Sequence, residues 1–355
     1  MNEKNEKPHF KEFDLIRGIA ILIIIAIHTT HFGNSYISLL FTTAVPIFCC
    51  LSAILLTIHY KDSLELKTYY KKRYKYLVPN YLFWMAILIF RNLFSNNWSL
   101  RACFSQFIIS SATGAMITLY FMIIIFIFYL FFPFLLKVIK KLELRFSLLL
   151  FLISVLILVS LYIYSIDNHV FFLDKKIIIS YFEVDSVLIE VSIANYIFVI
   201  FMIPFFILGI IIGLNYDFIK EKMQEKKNLI IISSIYALSL FIFYIFPVNT
   251  TITNNYNSYL NYNTLLLSLI QMIFLLCIFN NYTIKGLGYI GNKATGLYLT
   301  HRPVQIILSY LFISFINFNI QNLFFGLFSS IIVVISCLFL IFVIQKLPKS
   351  EFIIK

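Results

Sequence analysis

"FDLIRGIAILIIIAIHTTHFG", residues 13–33, is the stretch whose reading decides the fold. It is long enough to cross the hydrocarbon core of a bilayer, which takes about 20 apolar residues. Yet it carries Arg17 near one end and His28 in its middle. A charged side chain at the centre of a spanning helix costs about 2.5–3.5 kcal/mol even on lenient insertion scales, and such residues usually mark function.

The rest of the chain fits a membrane setting. Its 355 residues are 61% hydrophobic and 12% charged, where an ordinary soluble domain is about 25% charged. Ten apolar spans are predicted, over roughly 15–33, 37–59, 77–94, 117–136, 146–166, 195–216, 228–247, 263–282, 294–316 and 323–345. The expected fold class is therefore an all-α integral membrane protein, a bundle of about ten transmembrane helices. Residues 1–355 form one transmembrane domain in this reading, with no separate soluble domain. The basic N-terminus and the run after it are read as a retained first span, not a cleaved signal.

In a soluble protein the net charge of +12 would suggest a nucleic-acid partner. Here its distribution explains it. With the N-terminus in the cytoplasm, the inside segments hold Lys4, Lys7 and Lys11, the cluster at 61–75, and the groups at 137–145, 220–227, 285–293 and 346–355. The outside connections hold only Arg101, Lys175 and Lys176, with Arg91 near a span end. This asymmetry places both termini in the cytoplasm and leaves no call for nucleic acid. The longest outside connection, 167–194, is apolar enough to pack on the protein or the lipid interface. Another, "VNTTITNNYNSYLNYN" (248–263), reads as a solvated loop. Four of the five cysteines fall in apolar runs and Cys103 in a polar connection. No CxxC pair or metal-like spacing occurs, so neither a disulfide framework nor a metal site is expected.

Arg17 and His28 are eleven positions apart, which on an α-helix means about 20° around the axis and about 16 Å along it. They share a face at two depths. Asp14, three residues before Arg17, is placed for an ion pair that lowers the cost of the guanidinium. A neutral imidazole at His28 is a competent general base. The plainer readings are a positive-inside anchor for Arg17 and an interhelical hydrogen bond for His28. His301 sits in the ninth span beside Arg302 and Pro303. It reads either as a proton relay or substrate orienter, or as half of a helix-stabilising polar pair. His9 and His59 lie at or beyond the cytoplasmic edge, His31 near the outer end and His169 in an outside loop. No catalytic part is expected of His9, His59 or His169.

"FDLIRGIAILIIIAIH" resembles the opening of the acyltransferase-3 family of membrane-bound O-acyltransferases, through Asp14, Arg17, Gly18, Ala20 and His28. The resemblance continues in order along nearly the whole chain. "VPIFCCLSAILL" (45–56) is similar to the family's second span, with Pro46, Phe48 and Ser52, and Ala53 where Gly is usual. "YYKKRYKYLVPNY" (69–81) resembles the basic lead-in to the third, with Arg73 and Pro79, and Tyr76 at the second basic position. "TLYFMIIIFIFYLFFPFLL" (118–136) resembles an aromatic span, with Tyr120 where Trp is common. "FFILGIIIG" (205–213) and "GNKATGLYLTHRPV" (291–304), the latter carrying Tyr298 and His301, complete the set.

The resemblance implies transfer of an acyl group, usually acetyl, from cytoplasmic acyl-CoA to a hydroxyl of a cell-surface or lipid-linked glycan. The protein would be a multi-pass component of a bacterial cell membrane. Acyl-CoA, acetyl-CoA foremost, is then a donor substrate, and no cofactor is permanently bound. The partners are the donor, the glycan or lipid-linked saccharide acceptor and the bilayer. Arg17, with Arg73, Lys72 and Lys75, would hold the anionic CoA phosphates. His28 would take the proton of the attacking hydroxyl or carry the acyl group itself. The oxyanion that develops must be stabilised; Ser52, Tyr120 or a backbone amide are the candidates. The rival class is a transporter or exporter of a polysaccharide without acyl transfer. Ten spans with buried Arg and His suit it, although the two similar halves common in transporters are not found.

Overall fold

The computed structural model describes residues 10–29, 40–113, 119–167, 179–184, 187–192, 194–245, 262–313 and 323–354. His9, His31, His169 and the loop at 248–261 lie outside the described residues. Helices lie over each interval predicted as a span: α1 (Lys11–Thr29), α2 (Ala44–Tyr60), α3 (Leu66–Phe90), α5 (Tyr120–Lys141), α6 (Leu144–Asp167), α7 (Ala194–Leu214), α9 (Lys226–Ile245), α10 (Tyr262–Asn281), α12 (Ala294–Ile313) and α13 (Leu323–Gln345). Among the described residues, five helices are long and apolar enough to cross a membrane. They cover Leu40–Tyr60, Leu66–Ser95, Tyr120–Lys141, Thr264–Asn281 and Gly326–Gln345. A sixth is counted if Val199–Leu214 and Tyr216–Gln224, bent by 83° where they meet, form one span.

Four features depart from the sequence expectation. The segment before the third span is not a separate connection, because α3 begins at Leu66 and carries the basic cluster on a continuous helix. The polar connection after that span holds α4 (Leu100–Thr113), whose buried face is Ala102, Cys103, Gln106 and Ser110. Cys103 is thus fully buried in a helix interface and not in an open connection. The apolar stretch within 167–194 contains two antiparallel strands, β1 (Ile179–Val184) and β2 (Val187–Ser192), with Ile179 opposite Ser192 and Val184 opposite Val187. Among the described residues the bundle is therefore helical with one hairpin, and β2 packs against α4. Two short helices, α8 (Tyr216–Gln224) and α11 (Lys285–Asn292), were also not expected.

The helix that carries Arg17 and His28 is central. α1 touches α2, α10, α11, α12 and α13, and Phe13, Ile16, Ala20, Ile21 and Ile25 on it are fully buried. A helix apolar on most sides belongs inside a bundle. Polar clamps fix it there. Glu12 accepts hydrogen bonds from the Tyr216 hydroxyl and from Lys220 Nζ, the latter at 2.8 Å. Thr29 and Ser330 share a hydroxyl hydrogen bond between α1 and α13.

Close helix contact elsewhere depends on small residues. Gly209 and Gly213, one turn apart on α7, face α2 so closely that a Cβ on Gly209 would lie 2.3 Å from the Cys50 carbonyl oxygen and 2.6 Å from the Ala53 Cβ. A Cβ on Gly213 would lie 2.6 Å from that of Thr57. This is the small-xxx-small packing of membrane helices, where association rests on backbone approach. Between α3 and α5 the contact is polar. Pro133 has no N–H to give the Tyr129 carbonyl four residues earlier, and the Tyr69 hydroxyl supplies the missing donor at 2.8 Å. Tyr70 and Tyr74 donate to the carbonyls of Leu130 and Phe126 in the same way, at 2.9 and 2.7 Å.

Candidate active site

The site begins where α1 meets α11. A Cβ on Gly291 would lie 1.7 Å from the Asp14 carbonyl oxygen, and one on Gly18 2.4 Å from that of Leu287. Only glycine permits that approach. It brings Asn292 beside Asp14, where the amide, oriented to satisfy both partners, donates to the two carboxylate oxygens at 3.1 and 3.2 Å. Asp14 also accepts from Arg17 Nη1 at 3.3 Å. The carboxylate is buried, whereas the Arg17 side chain remains 36% exposed. Asp14 thus holds the guanidinium by one edge and leaves other donors accessible.

Arg17 lies within electrostatic reach of Arg73 on α3 and Tyr129 on α5. The Arg73 guanidinium sits over the rings of Tyr60 and Tyr129, at 5.2 and 6.0 Å from their centroids, an arrangement favourable for a cation. Its Nε is buried without a hydrogen-bond partner, and no carboxylate pairs with it among the described residues. Lys72 and Lys75 occupy other faces of α3 and are exposed, with Lys75 Nζ 4.9 Å from the centre of the Tyr76 ring. Of the four cationic residues proposed from the sequence, the fold brings together Arg17 and Arg73.

His28 lies near the other end of α1. Its ring stacks against that of His301 from α12, with centroids 5.3 Å apart and planes inclined by 26°. His301 is buried, and its Nδ1 lies 2.6 Å from the Tyr298 carbonyl oxygen. A carbonyl only accepts, so Nδ1 carries the proton. The remaining nitrogen, Nε2, is buried with no partner. In its neutral form the ring presents an unused lone pair there. The two helices are also tied through Gln305, which donates to the His28 carbonyl and accepts from Arg302 Nη1 at 2.9 Å.

Ring contacts run from Phe48 through Phe121 and Tyr298 to His301, at 6.1, 5.8 and 5.7 Å. Ser52 is half-buried one turn beyond Phe48 on the same face of α2. Tyr120 opens α5 next to Phe121 and packs on the core. Among the described residues Ser52 donates no hydrogen bond to His28 or His301. The sequence reading missed Asn292 and Gln305, and it named Tyr129 only as part of the aromatic span. Gln305 left a trace, as a polar residue four positions after His301 on an apolar helix. Asn292 left none, because its part comes from a contact between helices distant in sequence.

Two arginines near one end of α1 and paired imidazoles near the other thus lie within a largely apolar helical bundle, and ionisable groups placed in that way often mark a functional site. The family model described as "Acyltransferase domain" of the acyltransferase-3 type matches residues 10–342. The chain belongs to that family, and it is an acyltransferase. Comparison with curated proteins and with solved structures finds no match.

Proposed function

We propose that the protein moves an acyl group, acetyl foremost, from cytoplasmic acyl-CoA to a hydroxyl of a cell-surface or lipid-linked glycan. Both termini face the cytoplasm in this reading, and ten helices cross the membrane. The CoA phosphates stay at the level of Arg17 and Arg73, whose free donors suit oxyanions. The pantetheine arm threads inward along α1. Arg17 and His28 are about 16 Å apart along the helix, a span that a flexible arm can bridge.

The reaction needs one proton acceptor and one polarising group. The acceptor hydroxyl oxygen attacks the thioester carbonyl carbon while its proton passes to a ring nitrogen of His28. The oxyanion collapses, the carbon–sulfur bond breaks, and the thiolate leaves with the proton that His28 took. His301, held as the Nδ1–H form, orients the His28 ring by stacking and offers Nε2 as a second resting place for that proton. Ser52 and Tyr120 are the side-chain candidates for steadying the oxyanion.

The observation that carries the proposal is the His28–His301 stack at 5.3 Å, which brings together residues 273 positions apart in the sequence. Membership of an acyltransferase family weighs against export without acyl transfer. The test is mass analysis of surface glycans from cells carrying the wild type or His28→Ala. The expected result is an ester present in the first and absent in the second. Identical glycans in both would refute the proposal.

A further inference from the structure

The acyl-transfer reading leaves two arginines unexplained. Arg302 follows His301 directly, and its Nη1 is fixed by Gln305, the same side chain that holds the His28 carbonyl. Arg91 caps the end of α3, which packs against α12. Its Nε is buried with no partner. The two guanidiniums lie within electrostatic reach of each other, and Arg302 within reach of both histidine rings. Among the described residues no carboxylate pairs with either.

This arrangement contrasts with Arg17, which has Asp14. Two cations within reach of each other in a partly desolvated place repel, and the unpartnered Arg91 Nε–H adds the cost of an unsatisfied donor. An oxyanion between them relieves both penalties, and the planar fork of arginine suits carboxylate and phosphate alike. Nor can this pair share the duty of the first. Arg73 and Arg91 are eighteen residues apart on one helix, about 27 Å along its axis.

We propose that Arg91 and Arg302 form an oxyanion site beside the paired histidines, which holds a phosphate or carboxylate group of the acceptor. Its assignment to the acceptor rests on the acyl-transfer reading; the binding of an oxyanion does not. With the anion held there, an acceptor hydroxyl is oriented towards His28 while the CoA phosphates occupy the distant arginine pair. The acceptor class is therefore an anionic saccharide, either phosphate-bearing or uronate-bearing.

The test uses the full chain in detergent micelles, with Arg17→Gln/Arg73→Gln as the parent so that the first arginine pair cannot bind the probe. Inorganic phosphate and glucuronate are titrated separately. Saturable binding of at least one is expected, weakened ten-fold or more by adding Arg91→Gln or Arg302→Gln, and less by Arg91→Lys. Binding of phosphate alone assigns a phosphate-bearing acceptor, and of glucuronate alone a uronate-bearing one; binding of both supports the shared chemistry. If the parent proves unstable on heating, the same titrations are made on wild type, Arg91→Gln and Arg302→Gln with CoA in excess. No saturable binding of either probe, or binding indifferent to Arg91 and Arg302, overturns the proposal. Failure of acyl transfer in a separate assay leaves the binding result standing, so the two ideas fail separately.

Discussion

Gly291→Ala should damage both the fold and the reaction, and the damage can be sized from the contact that the glycine permits. The new Cβ would lie 1.7 Å from the Asp14 carbonyl oxygen, where about 3.4 Å is the near limit of ordinary contact. The backbones of α1 and α11 must therefore separate by roughly 1.7 Å, because no flexible side chain can yield in their place. Overpacking of this kind costs ~1–3 kcal/mol. The shift also carries the Asn292 amide out of reach of Asp14, and a hydrogen bond to a charged group is worth ~1.5–3 kcal/mol. The sum is ~2.5–6 kcal/mol. Arg17 loses its anchored partner, and a misplacement of about 1 Å is enough to reduce a rate on the order of 100-fold. The five cysteines are free and buried, so a thiol-reactive dye reports thermal unfolding directly. Gly286→Ala on the same short helix is the control. Nothing lies within 4 Å of its added Cβ, and alanine is favoured over glycine in a helix by up to about 1 kcal/mol. Gly286→Ala should melt at or slightly above the wild-type temperature, and Gly291→Ala well below it with transfer largely lost. Equal melting and equal activity of the two variants would refute the reasoning.

Two further outcomes follow from the charged residues. Arg73→Lys should raise the KM for acyl-CoA by about ten-fold, since it loses the planar stack on Tyr60 and Tyr129 and the forked donors. Lys72→Ala and Lys75→Ala should change the KM by less than about two-fold, because exposed charges are screened by solvent. Glu12 gives a pH dependence: burial pushes its carboxyl up, but the hydrogen bonds from Lys220 and Tyr216 outweigh that and hold it below the ordinary carboxylate value. A group lowered on folding stabilises fully above its unfolded value, about 4.3 for Glu, and loses that contribution as pH falls through the folded value. Melting temperature should therefore drop on acidification below about pH 4.3, and Glu12→Gln should melt lower at pH 7 with a shallower acid slope.

The first helix was legible because its signal is local. Asp14, Arg17 and His28 sit three and eleven positions apart, and helical periodicity alone puts them on one face. The partner of His28 was not legible, since it comes from a helix whose Gln305 is 277 residues away in sequence from the carbonyl it holds. His301 stood out as an ionisable residue in a span, but nothing local said that it would stack on His28. Sorting the basic cluster failed for a different reason. The segment before residue 77 was read as a connection, and only a helix running from Leu66 gives Arg73 an inward face and leaves Lys72 and Lys75 outside. Helix α4 escaped a hydropathy reading because its buried face is Ala, Cys, Gln and Ser. The hairpin was not legible because the apolar residues of its segment suit packing on the protein or the lipid interface as well as they suit strands.

The most direct test of the paired histidines as the reaction centre is a double-mutant cycle on transfer of a labelled acyl group from acyl-CoA in membrane vesicles. His28→Gln is expected to lower transfer by on the order of 10,000-fold while leaving it measurable, His301→Gln to lower it by on the order of 100-fold, and the double variant to be no worse than His28→Gln alone, as for groups acting as one unit. Wild-type transfer by His28→Gln, or single effects that simply multiply, would contradict the account.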